Sequence, residues 1–261
     1  MSGGVSKRYH YNAHGHGFSA RFDRPVQHAI DIQAASSLPT IGGHGNSRVD
    51  DFQFQQFVSF KAAYSHVSGS MNTADGTHTT LATATVEGLN VLDMVTADRV
   101  VARLATQHPE DEGEPHVVVL GSRFENLRIA GCPVEVELNH DFFLPLDTFD
   151  AIRKELESNA NFRKMTVDPF QTGQKQKVPP DPRGVFLCSL VKDMKTSCPG
   201  LKRQGHGFIV PQFGKVFVAE MLCKHGRRSL TMLRLEMGSP VSGTAVAGEA
   251  IINGDPWPGS H

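Results

Sequence analysis

The stretch ATATVEGLNVLDMVTADRVVARLAT, Ala82–Thr106, decides the fold class. Ala82, Ala84 and Val86 fall on one side of a period-two repeat, and Thr83, Thr85 and Glu87 fall on the other. After a turn around Asp93, Val100, Ala102 and Leu104 point one way while Arg99 and Arg103 point the other. Only a strand separates neighbours in this manner, because successive Cβ atoms project to opposite faces of a sheet. Downstream, Leu127 and Ile129 predict an inward face with Arg128 outward. Past the turn Gly131-Cys132-Pro133, Val134, Val136 and Leu138 face in while Glu135 and Glu137 face out, with Arg128 placed to pair with one of those carboxylates.

Outside this region the same texture recurs. Asp51 to Gln55 alternates polar and aromatic residues, and Phe57 and Phe60 break the parity, which predicts a bulge or bend near Gln55-Gln56. Lys215–Cys223 and Ser229–Met237 read as a hairpin whose basic tip, Lys224 to Arg228, is solvated, and Thr244–Ile252 reads as a final strand. One helix interrupts the strands: Asp147 or Thr148 can cap it, and Phe149, Ile152 and Leu156 recur at helical spacing through residues 147–160. Strand–helix alternation is absent, so the expected fold is all-β, an antiparallel sandwich or barrel with one short helix. The expected organisation is an irregular His/Gly-rich arm at 1–17, one large β domain over 18–253 that the polar loop 166–184 divides into two lobes or simply decorates, and a tail at 254–261 in which Trp257 pins back onto the body.

Composition narrows the function classes. Lys and Arg number 26 against 27 Asp and Glu, a formal charge of −1, which argues against a dedicated nucleic-acid or anionic-membrane surface. No apolar run reaches the ~18 residues that span a bilayer, and the first residues lack the apolar core of a secretory signal, so a cytoplasmic location is expected. On that premise the four cysteines, Cys132, Cys188, Cys198 and Cys223, are expected to stay reduced, with Cys188 and Cys223 buried.

The segments Ala84–Leu92, Val95–Asp98 and Gly121–Gly131 resemble bacterial choice-of-anchor β domains, which are known mainly as parts of surface proteins without an assigned activity. The likeness covers about a quarter of the chain and lies in strand-forming residues. It implies an all-β fold and a surface location, and it transfers no site residues.

Two sets of residues are candidates for chemistry. The tripeptide Gly-His-Gly occurs at Gly15-His16-Gly17, Gly43-His44-Gly45 and Gly205-His206-Gly207, where the 13 His and 25 Gly of the chain predict roughly 0.1 occurrences by chance. Flanking glycines bare the backbone to a ligand, an ion or another strand. His14 and His16 share a strand face, and with a third ligand from His10, His28, His44 or His206 they would make a site for Zn, Fe or Cu. The second set is Glu220, Arg234 and Glu236, which meet across the 215–237 hairpin and are the candidate catalytic residues. If they face outward, as Leu233, Leu235 and Met237 on the opposite parity favour, they form a surface ladder; if inward, they form a polar cluster inside a barrel. No Gly-x-Ser-x-Gly elbow is present. The expected function is a binding or self-association module for a small apolar ligand or a protein partner, with homo-oligomerisation as one form of it. The alternative is a metal-dependent small-molecule enzyme of oxygenase, hydrolase or cyclase type.

Overall fold

The computed structural model of the chain describes residues 9–109, 114–160, 162, 185–224 and 226–253. The expected loop at 166–184 and tail at 254–261 lie outside them. Strands dominate, in the order β1 (Asn12–Arg24), β2 (His28–Gln33), β3 (Ser36–Ser37), β4 (Gly43–Phe54), β5 (Val58–Met71), β6 (His78–Val91) and β7 (Val95–His108). Short strands follow: β8 (His116–Val118), β9 (Arg123–Glu125), β10 (Arg128–Ile129), β11 (Cys132–Pro133) and β12 (Glu135–Leu138). After the helix α1 (Phe149–Ser158) come β13 (Val185–Ser189), β14 (Val191–Lys195), β15 (Lys202–Gln204), β16 (Gly207–Val210), β17 (Gly214–Lys224), β18 (Arg227–Met237) and β19 (Ser242–Asn253).

Two antiparallel sheets face each other. Sheet 1 runs β15-β16-β17-β18-β19-β1-β2, with β13 beside β17 and β3 beside β1. Sheet 2 runs β11-β10-β7-β6-β5-β4, with β8 and β9 beside β7. Strands β1 and β19 lie over β5, β6 and β7, and the buried apolar side chains of both sheets and of α1 form one core. The fold is a sandwich. The alternation read from Ala82–Thr106 holds: Ala82, Ala84, Val86, Val100, Ala102 and Leu104 are fully buried, and Arg99 and Arg103 lie on the outer face. Leu92 and Asp93 both adopt positive φ (56° and 53°) in the three-residue turn Leu92–Met94 between β6 and β7, the central conformations of a type I′ turn. Thr148 caps α1 by accepting from the Ala151 N–H at 3.2 Å, and Phe149, Ile152 and Leu156 are its buried stripe.

Several expectations need correction. The described part of the expected arm is ordered, and Asn12–Gly17 opens β1, a strand inside sheet 1. Gln55-Gln56 is the hairpin turn between β4 and β5 rather than a bulge within one strand. The glycine-rich stretch 41–46, which reads as a loop in the sequence, instead runs into β4 from Gly43 and carries the second Gly-His-Gly on that strand. Arg128 pairs in register with Pro133 rather than with a carboxylate, and Glu137 instead takes Lys192 of β14. Arg228, assigned to a solvated tip, is 1% exposed. Its guanidinium donates to the Lys224 and Arg227 carbonyls at 2.6 and 3.1 Å and lies 3.5 Å from Glu114. Cys132 and Cys198 form a disulfide, with Cα atoms 6.0 Å apart, so the expectation of four reduced cysteines fails; Cys188 and Cys223 are the buried free thiols.

The glycines of β1 have a packing role. Gly15 and Gly17 point into the sandwich, where an added Cβ would lie 2.7 Å from the Ser65 Cβ and 2.9 Å from the Ala63 Cβ respectively. The bare backbone is therefore approached by the opposite sheet, and the imidazoles of His14 and His16 project from the other face. Gly15→Ala is expected to cost about 1–3 kcal/mol by overpacking. His14→Ala should stay within about 0.5 kcal/mol. Urea midpoints of the two variants check the ranking.

Candidate functional site

Strict alternation along β17 would put Glu220 on the same side as Val216 and Val218, inside the core. The strand prevents this. Val218 and Ala219 are both fully buried, Ala219 takes φ 51°, and Glu220 turns to the outer face. The same double step occurs at Met232-Leu233 of β18, Ala247-Gly248 of β19 (Gly248 φ 67°) and Gly17-Phe18 of β1. These four positions are aligned in register, and pairing resumes unshifted on both sides. One break in parity therefore crosses four strands, and it assembles a row on the outer face: His16, Glu249, Thr231, Glu220 and Ser189. The adjacent row carries Arg234 beside Phe217.

Two His–Glu pairs occupy the row. Toward the β1 side, His16 Nδ1 donates to Glu249 Oε2 at 3.0 Å, and Ser229 and Thr231 hydroxyls donate to Glu249 Oε1 at 3.2 and 3.4 Å. Burial pushes the Glu249 carboxyl up, but the His16 hydrogen bond and charge and the two hydroxyls outweigh it and hold the group below its ordinary value. On the β17 side, His206 Nε2 donates to Glu220 Oε1 at 2.8 Å. Arg234 grips the same carboxylate with Nε to Oε2 at 2.5 Å and Nη2 to Oε1 at 2.8 Å, donates to Glu236, and lies 3.9 Å over the Phe217 ring. Burial again opposes ionisation of Glu220, yet the bonds from Arg234 and His206 hold its pKa down to about 2.

The first and third Gly-His-Gly motifs thus serve one face in different ways. Gly207 is needed because a Cβ there would meet the Val216 carbonyl at 2.3 Å, and Gly205 supplies a φ of 59° just before His206. His14 lies beside His16, ring centroids 6.2 Å apart, and is hydrogen-bonded to Ser37 Oγ at 2.7 Å. Burial first, then the charges of His16 and Arg227, keep His14 below the ordinary histidine pKa. His44 is elsewhere, exposed on β4 of sheet 2. His28 is exposed on β2 and stacks on Phe54 at 4.3 Å.

The four candidate metal ligands do not converge. His16 is three strands from Glu220, roughly 14 Å of sheet at ~4.8 Å per strand, and His206 lies beyond β17. An ion with Zn–N bonds of ~2.0–2.1 Å cannot bridge that span. Among the described residues no group of three or more His, Cys, Asp or Glu side chains is placed to hold a metal ion. Glu220, Arg234 and Glu236 do meet, on the outer face that their register with Leu233 and Leu235 favours. Nothing in the pattern of the sequence singles out Ser229 or Thr231, and the signal for Glu249 is a lone carboxylate inside the Ala/Gly/Ile run of β19.

A depressed carboxylate pKa stabilises the native state above the unfolded-state value and loses that effect as pH falls through the folded value. Glu220→Gln, which leaves Arg234 short of its main partner, is expected to cost about 2 kcal/mol at neutral pH. The margin of the wild type over the variant should persist above about 4.5 and vanish toward about 2. Denaturant titrations of both proteins across that range check the expectation.

No helix among the described residues is long and apolar enough to cross a membrane. Comparison with curated proteins finds no match, and comparison with solved structures finds none. A family model described as a domain of unknown function, DUF8256, matches residues 9–224, a span that holds both sheets up to β17 and stops before β18 and β19. The chain belongs to the DUF8256 family.

Proposed function

We propose that the chain is a recognition module without catalytic activity, and that the outer face of sheet 1 takes a protein partner presenting acidic and apolar side chains. The observation that carries this is the composition of the face around the two His–Glu pairs. Leu222 and Ile209 are each 39% exposed and Val185 is 47% exposed, and Lys224 and Arg227 project exposed cations at its rim. At its centre the polar groups are already tied to one another, which presents a pre-ordered surface at little further entropic cost. An arginine over an aromatic ring, with exposed aliphatic side chains elsewhere on the same face, is the kind of feature that anchors protein interfaces. An acidic partner fits the rim by charge, and apolar contacts fit Leu222 and Ile209.

The same geometry speaks less for a small apolar ligand between the sheets, because Gly15 and Gly17 bring the sheets into direct contact at Ser65 and Ala63. For the metal-dependent enzyme, the described residues offer His–Glu pairs but no three-ligand set.

Chemical cross-linking in native extract, read by mass spectrometry and followed by affinity measurement with the identified partner, tests the proposal. Leu222→Asp and Arg227→Glu should each weaken binding by about tenfold or more. Arg103→Glu, on the outer face of sheet 2, should change it by less than about twofold. A partner held equally by all three variants would overturn the assignment of the face. Near-stoichiometric zinc, iron or copper in untagged protein, lost in His16→Ala, would replace the module by the metal enzyme.

A further inference from the structure

We infer that Cys132 and Cys198 form an exchangeable latch that fixes the His206 loop, closed by a disulfide oxidant and opened by a thiol reductant. The chain leaves sheet 1 at Leu190, whose N–H donates to the Ala219 carbonyl at 2.9 Å. It rejoins the sheet through the edge strand β15 and meets β17 again at His206, whose carbonyl accepts from the Val218 N–H at 3.1 Å. The two ends of the excursion therefore sit side by side on β17 at the break in parity, with Glu220 and His206 at its mouth.

Within the excursion, β14 pairs with β12 through Glu135↔Lys195, Val136↔Met194 and Glu137↔Asp193. Arg203 of β15 reaches Asp193 at 3.1 Å. Cys198 then bonds Cys132 of β11, at the edge of sheet 2. The disulfide is thus a covalent tie between a loop of sheet 1 and the border of sheet 2. Without it the excursion keeps the buried side chains of Leu190, Val191 and Met194, the short β12–β14 and β15–β16 ladders at its two ends, and exposed ion pairs, which contribute little, while the stretch between β14 and β15 loses its one covalent tie to sheet 2.

Access separates the four cysteines. Cys132 and Cys198 are half-exposed, whereas Cys188 and Cys223 are 1% and 0% exposed. Burial also pushes the Cys188 thiol well up, away from reactive thiolate. A solvent-borne reagent can therefore turn over one pair and leave the other. In closure, a small-molecule or protein disulfide R–S–S–R accepts two electrons. The thiolate of one cysteine displaces one R–SH and forms a mixed disulfide. The second cysteine then attacks that sulfur, the Cys132–Cys198 bond forms, and a second R–SH leaves, the two thiol protons passing to the two leaving thiolates. Opening is the reverse, with two thiols oxidised to R–S–S–R. Disulfides persist in oxidising compartments, so the closed form belongs to such a compartment.

The test uses the full chain produced in an oxidising compartment, the same protein after thiol reductant, and the variant Cys132→Ser with Cys198→Ser. Alkylation after denaturation without reductant should label Cys188 and Cys223 only. Alkylation of the reduced protein under native conditions should label Cys132 and Cys198 only. Hydrogen exchange at Val191–Lys195 and Lys202–Gln204 should quicken by about tenfold or more when the latch is open, in both the reduced protein and the variant, while β6 and β18 remain the slowest amides. Four labelled cysteines in the protein from the oxidising compartment would overturn the latch. Unchanged exchange in the excursion after opening would overturn it too, and so would an equal rise at every amide, which would make the disulfide a staple of the whole fold.

Discussion

The outer face of sheet 1 depends on one constraint: a break in strand alternation that runs unbroken in register from Gly17 through Gly248 and Met232 to Ala219. A one-residue change of parity normally sends a whole run of side chains to the wrong face. Here four neighbouring strands make the change at the same level, so the ladder survives and the core stays apolar on both sides of the break. The outcome is that His16, Glu249, Thr231 and Glu220 leave the core together. Ala219 takes the left-handed conformation that its neighbours over-determine, and Gly248 takes it without a Cβ to clash.

The electrostatics follow from that placement. Glu220 and Glu249 are carboxylates set in a sheet face buried enough to resist ionisation, and each is kept charged by a fixed donor set: Arg234 and His206 for one, His16 with Ser229 and Thr231 for the other. Fork geometry makes the Arg234–Glu220 pair strong, and the Phe217 ring beneath the guanidinium fixes its plane. Such groups satisfy one another and hold their positions. Under the proposed recognition role, the polar centre would be ordered before a partner arrives, with Leu222, Ile209 and Lys224 exposed around it.

The two His–Glu pairs are supported differently. His16 rides on β1 in the interior of sheet 1, locked by Gly15 and Gly17 pressing on sheet 2. His206 stands in the turn after β15, at the end of an excursion with short ladders and a tie to sheet 2 through Cys198. Rigidity at one end of the row is built into the sandwich, and at the other it is delegated to a loop and a disulfide. That asymmetry gives the face one end that solvent redox chemistry can reach.

Periodicity alone determined the class of fold, the core strands β6 and β7, the cap and buried stripe of α1 and the β17–β18 hairpin, because a period of two or of 3.6 is written locally in residues such as Val100, Ala102 and Leu104 or Phe149, Ile152 and Leu156. The sequence also singled out His16, His206, Glu220, Arg234 and Glu236, through glycine flanks and opposite charges across a hairpin. It could not say that β1 begins at Asn12, since Gly-His-Gly reads as loose chain until another sheet presses against its glycines. Nor could it pair Cys132 with Cys198, 66 residues apart, or bury Arg228 against carbonyls of its own turn. Opposite parity to Leu233 and Leu235 favoured the outer face for the Glu220 cluster, but the break that brings Glu220 and Glu249 into one row was decided by tertiary structure, because a break in parity has a defined place only when four strands share it.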